Sequence, residues 1–120
     1  MGKAAISLTT GMEDGERVTV AFLQAVGAAE GGREVWMFLT QEAVWLATKG
    51  GATGSHCDGC PALEDLMVRF AAAGGKLLVC SVCFNSRKMD ADTLVENASV
   101  GGTIALWEWI GDGPCTTFSY

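Results

Sequence analysis

The sequence predicts a single α/β domain over residues 1–120, with a parallel sheet and helices on both faces. Three observations carry this. The chain has 120 residues, the length of one domain. Apolar residues make up 49% of it, enough for a core. Short apolar runs alternate with segments of helical periodicity, the order from which parallel βαβ units are built.

Residues 3–10, KAAISLTT, read as a buried strand ending at Gly11. Residues 13–30 read as a helix, because Val18, Phe22, Ala25 and Val26 form one apolar stripe and Gly31-Gly32 stop it. Residues 33–40, REVWMFLT, are an almost continuous apolar run, as a strand covered on both faces requires. A short helix, QEAVWLATK, follows, and residues 50–60 form a polar loop. Pro61 suits the first position of a helix over 61–73, which ends at Gly74-Gly75. KLLVCSV, residues 76–82, is the third strand, followed by a turn or short helix from Phe84 to Arg87. Residues 90–97 supply one or two helical turns, and residues 97–100 a fourth short strand. Residues 101–113 suit a helix or a buried strand; a helix ended by Gly111 to Gly113 is preferred, with CTTFSY as the last strand.

Composition excludes several function classes. Eight Lys and Arg in a chain of net charge −6 offer no basic face for nucleic acid or an anionic membrane surface. No apolar run reaches the roughly 20 residues of a membrane span. The N-terminus lacks a secretory apolar core, which points to the cytoplasm. There is no phosphate loop and no dinucleotide motif, so no cofactor is expected.

Five cysteines are the most informative residues. In a reducing compartment they bind metal, do redox or sulfur chemistry, or sit inert in a core. In a parallel sheet, ligands and catalytic groups collect at the carboxyl ends of the strands. Those ends carry Thr9, Thr10 and Gly11, then Thr40, then Cys80 with Cys83 beyond it. The N–H groups of the following turn favour a thiolate there, and Arg87 and Lys88 add positive charge. In a helical turn, Cys83 and Arg87 share a face.

Cys57 and Cys60 form a second CxxC, separated from the first by 19 residues. This matches the spacing of four-cysteine zinc sites. A helix over 61–73 spans about 20 Å and a strand over 76–82 about 23 Å. One runs down the domain and the other back, which places Cys57, Cys60, Cys80 and Cys83 at the same end. Zinc is therefore the alternative to free or readily oxidised thiols. His56, the one histidine, adjoins this pair and reads as a solvated loop residue. Cys115 has no partner in sequence and reads as structural. Asp90 and Asp92 read as helix caps, and Glu13 and Asp14 as a helix N-terminal charge pair. Trp36, Trp45, Trp107 and Trp109 read as core and interface anchors. Trp107 and Trp109, two apart on a helix, point in different directions, and a small domain does not easily bury both.

LLVCSVCFNSRKMDADTLVENASVGG, followed by LWEWIGDGPCTTFSY, resembles the DsrE/DsrF-like family of small sulfur-handling proteins. The resemblance covers essentially the whole chain. It implies a three-layer α/β/α sandwich around a five-stranded, mostly parallel sheet, and a homo-oligomer, trimer or hexamer. It also implies a persulfide-forming carrier cysteine just after a strand, with an arginine several residues later, the pattern of Cys80 and Arg87. Cys83, Cys57 and Cys60 lie outside that pattern. The first functional expectation is a sulfur-transfer or sulfur-carrier protein that exchanges sulfur with donor and acceptor proteins. The alternatives are a non-catalytic oligomeric scaffold with a four-cysteine zinc site, and a dithiol redox protein.

Overall fold

The computed structural model describes residues 2–55 and 57–120. His56 lies outside the described residues. The strands are β1 (Lys3–Leu8), β2 (Glu34–Leu39), β3 (Lys76–Cys80), β4 (Ala98–Gly101) and β5 (Cys115–Ser119). All pairings are parallel, in the order β4-β3-β2-β1-β5. The chain therefore steps outward from β1 to β4 and then crosses back to place β5 on the other side of β1. All five carboxyl ends share one edge.

The pleat sends successive side chains to opposite faces. Ala4, Ile6, Leu8, Val35, Met37, Leu39, Leu77 and Val79 face one side. There they meet α1 (Gly15–Glu30) and α2 (Leu63–Ala72) through Val18, Phe22, Leu66 and Phe70. The Phe22 and Phe70 rings meet edge to face, with centroids 6.1 Å apart. Asp14 caps α1, accepting the Arg17 N–H, in keeping with its expected place at a helix start.

The opposite face carries Ala5, Trp36, Phe38 and Leu78. It is crossed by α4 (Thr103–Ile110), the connection that returns the chain from β4 to β5. Trp109 stacks on Trp36 at 4.8 Å, and the Lys3 ammonium donates to the Trp109 carbonyl while lying over its ring. The expectation of tryptophans in the core needs correction. No tryptophan is fully buried; Trp36 and Trp109 are half-buried, and Trp45 and Trp107 are exposed. No residue of α4 is buried although the helix is strongly apolar. None of the described helices is long and apolar enough to cross a membrane.

Element boundaries differ from the sequence reading at places that bear on the site. Residues Gln41–Ala47 form a 3-10 helix ended by Thr48, which bridges to Leu94. Pro61 precedes the helix and is not its first residue; Ala62, extended, accepts the N–H groups of Asp65 and Leu66. β3 ends at Cys80, two residues early, because α3 (Ser81–Ser86) starts at once. Residues 90–97 contain one 3-10 turn, Ala91–Thr93, with Asp90 accepting the Asp92 N–H.

On the surface, Arg69 of α2 makes a two-pronged hydrogen bond to Glu30 of α1, at 2.7 and 3.0 Å. This hydrogen bonding holds the Glu30 carboxyl below its ordinary value of 4.5. A depressed carboxyl contributes stability above its unfolded-state value and loses it as pH falls through the folded one. Glu30→Gln is therefore expected to lower the urea midpoint slightly at neutral pH. The difference from wild type should shrink to nothing as pH drops below 4.5. Urea titrations of both proteins across that range check it, and a difference that grows on acidification would contradict it.

Candidate functional site

Cys80 is the last residue of β3 and the N-cap of α3, with φ −58° and ψ 121°. It is a half-buried, free thiol. The alternation along β3 puts it on the face of Leu78, under the α4 side of the sheet. Its register partner on β4 is Gly101, and Gly102 follows. Neither offers a side chain, and Leu78 and Ala105 lie close against Gly101. The Ser81 hydroxyl at the start of α3 lies beside Gly102, just after β4.

Cys83, also free, is one turn further and packs against the core formed with α1 and α2. Its Sγ accepts the backbone N–H of Gln41 at 3.2 Å. Gln41 opens the 3-10 helix after β2 and holds φ at +55°, a left-handed value that non-glycine residues rarely adopt. Such strain persists where surrounding structure enforces it and gathers at functional sites.

Arg87 follows α3. Its Nε donates to Glu42 Oε2 at 2.9 Å, and its Nη1 donates to the Cys83 carbonyl and the Ser86 hydroxyl at 3.4 Å. The expected shared face of Cys83 and Arg87 is thus present, but the guanidinium is engaged by a carboxylate. Gln41 and Glu42 are the two site residues that the sequence reading passed over. The signal was available: they directly follow β2, whose carboxyl end adjoins that of β3 in a parallel sheet.

Cys57 and Cys60 are joined as a disulfide. Among the described residues, no three His, Cys, Asp or Glu side chains are grouped to hold a metal ion. Among the described residues, Cys57, Cys60, Cys80 and Cys83, expected at one end of the sheet, form no such group. Two of the sulfurs are committed to each other, and Cys80 and Cys83 are free. The disulfide joins residues three apart in sequence. Its constraint on the unfolded chain is correspondingly small, about 2 kcal/mol on the loop-entropy model. Cys115 lies at the amino end of β5, opposite Lys3, at the far end of the sheet from Cys80.

Two solved structures share this architecture. The ychN protein from E. coli superposes with a TM-score of 0.78 at 16% identity, covering 100% of both chains. MTH1491 from Methanobacterium thermoautotrophicum, a protein of unknown function, superposes with a TM-score of 0.70 at 14% identity, covering 98% of this chain and 99% of its own. At such identities these likenesses speak for the fold alone. No curated protein gives a significant match. The model of the DsrE/DsrF-like family matches residues 2–114. With nearly the whole chain matched, and a five-stranded parallel sheet that ends β3 on a free cysteine, this protein belongs to the DsrE/DsrF-like family.

Proposed function

We propose that the protein is a cytoplasmic sulfur carrier in which Cys80 is loaded as a persulfide. The observation that carries this reading is a free thiol at the junction of β3 and α3, in a chain of this family. The Cys80 thiolate attacks the outer sulfur of a polysulfide or persulfide donor. A Cys80 S–S bond forms, the donor S–S bond breaks, and the donor leaves as a thiolate one sulfur shorter. An acceptor thiolate then takes the outer sulfur and releases Cys80 as thiolate, with no net oxidation. Cys83 is the resolving thiol: its attack on the inner sulfur expels hydrosulfide and leaves a Cys80–Cys83 disulfide. Arg87 stands beside this site with its guanidinium paired to Glu42.

The test is mass spectrometry of the native protein before and after exposure to polysulfide, with peptide mapping. The expected result is one added sulfur atom on the peptide carrying Cys80. Modification of Cys115 at the same rate would remove the support for this reading.

The same reading includes a homo-oligomer, trimer or hexamer, assembled through α4. Ile104 and Trp107 on that helix are 74% and 67% exposed. Apolar patches of this kind mark interfaces. Trp107→Lys is expected to shift the species seen by light scattering to a monomer. A wild-type monomer at micromolar concentration would refute the oligomer.

A further inference from the structure

We propose that Cys57 and Cys60 form a second reactive site, an exposed thiol–disulfide exchange centre separate from Cys80. It is opened by dithiols and re-formed by small disulfides while the domain stays folded. The observations concern the turn that carries the pair. Backbone, and not sulfur alone, holds this turn: the Cys60 N–H donates to the Cys57 carbonyl at 3.0 Å. Gly59 supplies φ +76°, and a Cβ there would touch nothing within 4 Å, so the turn is open at its tip. The two Cα atoms are 5.2 Å apart, within the range a disulfide spans without backbone movement. The turn is also anchored on both sides. Ala52 and Ser55 are buried before it, and Leu63 is fully buried after it. Between these anchors Asp58, Gly59, Pro61 and Ala62 are exposed, and both cysteines are half-exposed.

These features separate the bond from the fold. The sulfurs are reachable, the bond closes only a short turn, and the core is built from elements elsewhere in the chain. Opening it costs no packing, and the retained turn keeps the two thiols at bonding range for closure. Exposed pairs of this kind are the labile or catalytic ones rather than staples. In the reducing direction a thiolate of the dithiol attacks one sulfur, the Cys57–Cys60 bond breaks, and a mixed disulfide forms. The second thiol of the reductant then displaces the remaining cysteine. Two electrons pass to the pair, which ends as two thiols, and the dithiol ends as a disulfide. In the oxidising direction glutathione disulfide accepts the two electrons and leaves as two glutathione thiols.

The experiment equilibrates the full chain in graded mixtures of reduced and oxidised glutathione, traps free thiols by alkylation, and maps tryptic peptides. Cleavage after Lys49 and Arg69 isolates Cys57 and Cys60 from Cys80 and Cys83, so failure here is distinguishable from failure of the sulfur-carrier reading. Cys57 and Cys60 are expected to convert together in one two-electron transition, with the circular dichroism spectrum unchanged. Two results overturn the proposal: mixed glutathione adducts in place of the ring, or loss of folded signal on reduction.

Discussion

Replacing Cys80 with serine is expected to abolish sulfur loading while leaving the fold intact. The sulfur is half-buried and free, and makes no cap hydrogen bond to α3. Serine at that N-cap position is a better acceptor for the first N–H groups of a helix than cysteine. Stability should therefore stay within about 1 kcal/mol of wild type. Loss of the added sulfur atom in the variant cannot then be blamed on unfolding. Cys83→Ser should behave differently. It should keep the adduct and lengthen its lifetime, because the thiol that would expel hydrosulfide is gone. Cys115→Ser, at the far end of the sheet, should change neither quantity. Mass spectra of the four proteins after polysulfide treatment, with urea midpoints alongside, check the series. Retained loading in Cys80→Ser is the outcome that would sink the carrier reading.

The largest stability effects are expected where Phe70 meets Gly75. Phe70 is fully buried against Phe22, and Phe70→Ala should cost about 3–5 kcal/mol, as removal of a buried ring does. Gly75, in the connection to β3, lies so close beneath this ring that an added Cβ would stand 2.3 Å from it. Gly75→Ala must push the ring out of its rotamer or shift the strand, at about 1–3 kcal/mol. Because both changes act through one contact, they should not add. In a Phe70→Ala background the obstructing atoms are absent, and Gly75→Ala should cost much less than it does alone. Urea unfolding of the two single variants and the double variant measures this coupling. Strict additivity would show that the glycine is required for another reason.

Periodicity and punctuation carried much of the architecture. The apolar run at 33–40, the stripe through Val18, Phe22, Ala25 and Val26, and the glycine pairs at 31–32, 50–51 and 74–75 are local signals. Each concerns what a segment must bury or where it must turn. The parallel order of strands then placed Cys80 at the edge where sites form. The junction just beyond Cys80 was harder to read. Val82 looks like a strand residue, yet it is 74% exposed, because the chain has already turned into α3. A β-branched apolar residue favours strands on average, and here the fold overrides that preference.

By itself, then, the sequence determined the α/β class, the strand order along the chain and the presence of two cysteine pairs at equal spacing. Local burial and turn chemistry suffice for these. Only the tertiary structure decided that the pairs differ. Cys57 and Cys60 share one turn around Gly59 and are bonded, whereas Cys80 and Cys83 straddle the end of a strand and are free. It likewise brought Gln41 to the Cys83 sulfur and Glu42 to Arg87, across 42 and 45 residues of chain. It also left the apolar α4 without a buried residue. Spacing in sequence is the same for both CxxC motifs. The direction of each thiol depends on backbone that the neighbouring strands and helices hold in place.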